Sequence, residues 1–220
     1  MYAIVLATQK GGSGKSTLAI GLAVAAMDAG ERVGMIDADP QGTISNWRRR
    51  RLNPKPRIEH AASGAALSRA LRNLRGEGCT VVVIDTAATD NVLSADAIGV
   101  ADLCLIPARP SPADIEAALP TLSTVRRLDK PLAFILNQTS PRSNRASEAA
   151  TALNSAGVLA LPYIVQRNDH QDALGAGLGV TEYDPRGQAA EEVRGLWRWV
   201  WNSLTMESLD HGSRALNAAG

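Results

Sequence analysis

The apolar run Ala3-Ile4-Val5-Leu6-Ala7, followed by Lys10-Gly11-Gly12-Ser13-Gly14-Lys15-Ser16-Thr17, constrains this chain more than any other segment. A buried strand runs into a glycine-rich turn, and a helix opens at the second lysine. Such a turn points several backbone N–H groups and a helix N-terminus at one spot, where a polyphosphate can sit. The three glycines let the backbone approach the phosphates with no Cβ in the way. Lys15 is placed to reach the β- and γ-phosphates, and the Ser16 hydroxyl to hold Mg²⁺.

The common phosphate-loop pattern has glycine five residues before the Gly14-Lys15 pair, but Gln9 stands there, and a second lysine, Lys10, heads the loop. This Lys-Gly-Gly-x-Gly-Lys-Ser/Thr form resembles the deviant Walker A motif of the ParA/MinD superfamily.

At 220 residues the chain suits one medium domain with a full core. A 45% hydrophobic fraction with 20% charged residues fits a globular protein. The net charge of +1 excludes a broadly basic nucleic-acid binder, so any contact with DNA must come from a local patch. Cys79 and Cys104 border or lie within expected strands and read as free thiols in a reducing cytosol. The first residues already read as strand, so no signal peptide is expected. No apolar run approaches the ~18 residues of a membrane span. His60, His170 and His211 are scattered without ligand spacing.

Strands are expected at Ala3–Thr8, Val33–Ile36, Arg57–His60, Val81–Ile84, Leu103–Ile106, Leu132–Leu136 and Leu159–Ile164. Helices are expected at Lys15–Ala29, Thr43–Arg51, Ala65–Arg75, Asp90–Gly99, Pro112–Leu128, Asn144–Ser155 and Pro185–Leu204. Ser111-Pro112 supplies a capping hydroxyl followed by a first-turn proline. Near-continuous Val/Ile/Leu strands separated by helices predict an α/β fold, a mostly parallel sheet covered on both faces. One domain over 1–206 is expected, with a flexible tail over 207–220. In such sheets ligands bind at the carboxyl ends of the strands.

The next motifs fall at those ends. Ile36-Asp37-Ala38-Asp39-Pro40-Gln41-Gly42 sets two carboxylates beside a proline-glycine turn, with Asp39 placed 24 residues after Lys15. That is the space one helix and one returning strand need. Val81-Val82-Val83-Ile84-Asp85 ends four β-formers in a carboxylate that can accept from Mg²⁺-bound water or Ser16. Asn137 closes another strand and offers an amide to a purine edge, and Leu161-Pro162-Tyr163 offers an apolar wall nearby.

The resemblance spans nearly the whole chain and is strongest to small plasmid-partition ParA proteins of the ParF type, which share a tryptophan segment like Asn46-Trp47. They also lack an N-terminal helix-turn-helix. It implies a single-domain P-loop ATPase using ATP and Mg²⁺, with nucleotide contacts from Lys10 through Thr17, from Asn137 and from Pro162. Ser16, Asp39 and Asp85 would serve the metal, and Asp39 would orient the attacking water. Lys10 would cross to the twin subunit's nucleotide, making an ATP-dependent sandwich homodimer with slow intrinsic hydrolysis. The resemblance further implies stimulation by a small adaptor or centromere-binding protein and non-specific DNA binding on the nucleoid. The expected task is to partition or position a plasmid, chromosome region or protein cargo. Arg48, Arg49, Arg50 and Arg51 are the densest basic cluster, with Arg142, Arg145 and Arg167 as further DNA candidates. Arg48–Arg51 read equally well as a solvated helix end. Two alternatives stay open: a membrane-associated MinD-like regulator and a metabolic enzyme on the same scaffold. Trp197, Trp199 and Trp201 invite the first, but the flanking residues are not lysine-rich, so packing is expected instead.

Overall fold

The computed structural model describes residues 1–140 and 144–217, with side chains through Met206. Arg142 lies outside the described residues. The central strand β1 (Tyr2–Leu6) runs between β4 (Val81–Thr86) and β5 (Leu103–Ala108). Beyond β4 come β2 (Val33–Ala38) and β3 (Arg57–His60), and beyond β5 come β6 (Leu132–Leu136) and β7 (Leu159–Ala160). All seven are parallel, in the order β3-β2-β4-β1-β5-β6-β7.

Because successive strand residues point to opposite faces, the inner strands feed two cores. Ile4, Leu6, Met35, Val83, Leu105 and Ile135 pack on one side with α1 (Lys15–Asp28), α9 (Gln188–Asn217) and Trp47. Trp47 belongs to α2 (Thr43–Arg50). Val5, Ile36, Ile84, Ile106 and Phe134 pack on the other side. Their partners there come from α3 (Gly64–Gly76), α4 (Val92–Gly99), α5 (Pro112–Arg127) and α6 (Arg145–Ala156). Burial on both faces is why these strands read as unbroken Val/Ile/Leu runs.

Helix α1 is the most enclosed helix on its side. Every residue from Leu18 to Ala26 is buried, which explains its lack of a polar stripe. Gly21 lets it lie against Val193 of α9, and Gly179 fits against Val24. The α9 tryptophans join this packing. Trp197 and Trp201 stand 5.6 Å apart, and Trp201 meets Tyr2 edge-on at 5.8 Å. Among the described residues no helix is long and apolar enough to cross a membrane.

The structure differs from the sequence expectation in the last third. Strand β7 keeps only Leu159–Ala160, because Pro162 has no N–H to offer a ladder. Pairing resumes as a single bridge between Thr139 and Val165. Between there and α9 lie two short helices that the sequence reading did not anticipate, α7 (Asp169–Gly175) and α8 (Val180–Tyr183). Helix α9 begins at Gln188, not Pro185, because Asp184 closes a turn on the Arg186 and Gly187 N–H groups first.

Candidate nucleotide site

The loop between β1 and α1 is pinned from behind. Lys15 Nζ donates to the carbonyls of Thr8 (3.1 Å) and Lys10 (3.3 Å). Asn137 Nδ2 donates to the Ser13 carbonyl at 2.7 Å, and Gln138 Nε2 to the Gly12 carbonyl at 3.0 Å. With its carbonyls held backward, the loop leaves its N–H groups for an anion in front of α1. Gly14 has φ +90°, and a Cβ there would overlap the Asn137 amide nitrogen, so glycine is required twice over. The sequence reading gave Asn137 to the base; in this structure its Nδ2 braces the loop. Gln138, at φ +54°, carried no sequence signal for the same task.

Strands β2 and β4 are neighbours with Asp37 opposite Asp85, so the carboxylates collect in front of Lys15. Asp85 is fully buried, and neither of its oxygens has a well-formed hydrogen bond among the described residues. Burial pushes its pKa up to about 7; the nearby Ser16 hydroxyl and the Lys15 ammonium pull down, and Asp37 and Asp39 add to the rise. Lys15 is pulled below the ordinary lysine range by burial, against the opposing charges of Asp85 and Asp39. Asp37, in contrast, is satisfied. It accepts from Ser45 N at 3.1 Å, from Ser45 Oγ at 2.5 Å and from Asp39 N at 3.3 Å. Asp39 is half-buried and accepts from Gln41 N at 2.9 Å.

An orphaned, buried carboxylate beside a serine hydroxyl is an oxygen-only donor set that fits Mg²⁺. Among the described residues no three His, Cys, Asp or Glu side chains form a metal cage. The ion would therefore take Ser16, with Asp85 and Asp39 acting through water, and complete its shell with nucleotide phosphates.

Lys10 sits half-buried at the rim of the loop. Its charge helps hold Asp114, at the start of α5, below the usual carboxylate range. Burial alone would raise that group, and hydrogen bonds from Arg109 (2.9 Å) and Ser111 (2.5 Å) overcome it.

On the other flank of the loop a small cleft of about 110 Å³ is lined by Gly14, Thr17, Asn137, Val165, Arg167 and His170. Pro162 is not in this lining; its ring packs on Gly195 of α9. The segment from Ile164 to Gln171 takes the place expected of it, and nothing in its composition announced that. Arg167 is held there by Glu192 at 2.7 Å, which ties it to the cleft wall.

The arginine cluster divides. Arg51 is not a surface residue: it is buried, forks onto Glu182 with two contacts of 2.7 Å, donates to the Gly177 carbonyl and lies 4.8 Å from the Trp47 ring centroid. It ties α2 to α8 and is unavailable to DNA. Arg49 and Arg50 are exposed and Arg48 half-exposed. Arg145 is exposed at the first residue of α6, beside a groove formed with Pro110, Pro112 and Glu148.

Residues 4–180 match the family described as the CobQ/CobB/MinD/ParA nucleotide binding domain. The "Maintenance of carboxysome distribution protein A" of Gloeobacter kilaueensis is 34% identical over 208 residues, covering 89% of this chain and 90% of that protein. Two solved structures share the fold. The Cyanothece McdA(D38A)–ATP complex has a TM-score of 0.75 at 20% identity, over 91% of this chain and 96% of that one. The Aquifex aeolicus MinC:MinD complex has 0.76 at 16%, over 92% and 96%. The chain belongs to the CobQ/CobB/MinD/ParA nucleotide-binding family.

Proposed function

We propose that this chain is an Mg²⁺-dependent ATPase whose ATP-bound form closes into a sandwich dimer, binds DNA without sequence preference and positions a cargo. The observation that carries this reading is the pair of lysines on one loop. Lys15 is turned inward onto two loop carbonyls, whereas Lys10 stays at the rim, in reach of a nucleotide presented by a second subunit. When bound, Mg²⁺ would neutralise charge on the phosphates. The chain's residues do the rest: Lys15 and the loop N–H groups hold the phosphates, and Ser16 and Asp85 orient the metal's shell. Asp39 positions the attacking water and accepts its proton.

A dimer held by the γ-phosphate is a two-state element that hydrolysis resets, and a stimulating adaptor would set its lifetime. The carboxysome distribution relative favours a protein assembly as cargo over a plasmid, with the ATP form on the nucleoid in the cytoplasm. Trp197 packs on Trp201 and Trp201 on Tyr2, which supports a packing role for these rings over membrane contact.

Sedimentation with a non-hydrolysable ATP analogue tests the reading. The wild-type chain should run as a dimer, Lys10→Ala as a monomer that still binds nucleotide, and Asp39→Ala with ATP itself as a persistent dimer. A wild-type chain that stays monomeric with bound analogue overturns it.

A further inference from the structure

Helix α2 and the edge strand β3 enclose a cleft of about 310 Å³, lined by Ser45, Arg48, Arg49, Pro54, Arg57 and His60. Its cations are poorly neutralised. Among the described residues no carboxylate pairs with Arg48 or Arg49, which bond instead to the Arg51 carbonyl and the Asn46 side chain. Arg57 reaches Glu59 at 3.3 Å and Glu77 at 3.5 Å, but its side chain is 58% exposed, and pairs of that kind contribute little. Exposed Arg50 and Lys55 extend the positive surface on either side of Arg51. In a chain of net charge +1, this is a concentrated basic patch.

We infer that the α2–β3 cleft is the seat of a nucleic-acid backbone, with Arg48, Arg49 and Arg57 each taking phosphate oxygens. The inference rests on the DNA binding proposed above and gives it an address that the sequence alone misdrew, since Arg51 leaves the cluster and Arg57 and His60 join it. Guanidinium forks match phosphate oxygens geometrically, which favours arginine over lysine at such a surface. Phosphates repeating along a strand suit cations spread from a helix to an edge strand better than a single anion does. Contacts made to phosphate oxygens carry no sequence information, so binding through them would be independent of sequence.

The cleft also shares Ser45 with the nucleotide site. The hydroxyl that bonds Asp37 lies 3.4 Å from His60 Nδ1 on the cleft wall. Asp37 in turn accepts from the Asp39 N–H, so one carboxylate joins the cleft to the water-positioning loop.

The test is retention on non-specific duplex DNA, with ATP and with ADP, for the wild-type chain, R48Q/R49Q/R57Q and the milder R49Q/R57Q. R49Q/R57Q spares the Arg48 bond to the α2 carboxyl end should the triple variant fold poorly. The variants should bind a fluorescent ATP analogue as the wild type does, and DNA affinity of the ATP form should fall at least tenfold. The slope of log affinity against log salt should shrink by about 2 in R49Q/R57Q and about 3 in the triple variant. If the wild type binds DNA and both variants bind equally well with unchanged slope, the cleft assignment fails and the functional proposal stands. If the wild type itself fails to bind DNA, the functional proposal falls, and the cleft with it. Retention on anionic vesicles that depends on these arginines while DNA retention does not also overturns it.

Discussion

The carboxylate of Asp37 receives both the backbone N–H and the hydroxyl of Ser45, at 3.1 and 2.5 Å. This joins the carboxyl end of β2 to the first turn of α2, and the same carboxylate steadies Asp39. Ser45→Ala removes one of the two bonds and should cost about 1 kcal/mol in urea denaturation. The backbone N–H of residue 45 still reaches Asp37, so nucleotide binding should be unchanged. Asp37→Ala strands two backbone donors and should lower kcat with little change in KM. A raised KM with kcat unchanged would assign Asp37 to substrate binding instead.

Asp85 gives the chain an acid-side stability. Its pKa rises from 3.8 to about 7 on folding, so between those values the folded state holds a proton that the unfolded state has released. Its contribution, up to about 4 kcal/mol, is present at low pH and lost as pH rises through about 7. Asp85→Asn should flatten the difference between pH 5 and pH 8 in the thermal midpoint of the nucleotide-free chain, while abolishing hydrolysis. Mg²⁺ with nucleotide, which favours the ionised carboxylate, should flatten the wild-type profile too. An Asn variant with the full wild-type slope would show that another group is responsible.

Arg51 is fully enclosed and Glu182 half-buried, with two contacts of 2.7 Å between them. Removing one partner leaves a buried charge unpaired, so Glu182→Ala should destabilise by about 3 kcal/mol. Arg51→Lys should not restore stability, because an ammonium cannot fork onto both oxygens or stack on Trp47. Denaturation midpoints of the three proteins decide this. Wild-type stability in Arg51→Lys would mean that charge alone suffices.

Gly14→Ala should weaken nucleotide binding at least tenfold with the core intact, since the new methyl group strikes Asn137 in a backbone conformation that alanine resists. Pairing it with Asn137→Ala should recover part of the loss by removing the obstructing amide. Isothermal titration of ATP against the four proteins of this cycle measures the coupling. Strict additivity would show that the two residues act separately.

The sheet was legible because its strands are buried on both faces and end in recognisable punctuation: Gly30 after α1, the glycine-rich loop after β1, and Asp85 closing β4. Lys15, Ser16, Asp39 and Asp85 could be ranked as one site because parallel strands deliver their carboxyl ends to one edge. Proximity at that edge could not be resolved further from spacing. The Asn137 amide turned back onto the loop, Pro162 packed under α9, and Arg51 went inside because Glu182, far away in sequence, offered it a matching carboxylate. The segment from Val165 to Tyr183 stayed opaque for a related reason. Its short helices are fixed by tertiary contacts such as Gly179 on Val24, not by periodicity.

The enclosure of α1 decides which parts of the molecule can answer the loss of a γ-phosphate. A helix clamped between the sheet and α9 cannot retreat, so the phosphate loop at its head is a fixed anvil. The segments left to answer that loss on the proposed reading are residues 39–42 and 87–91, while α2 stays bound to the same core as α1 through buried Trp47.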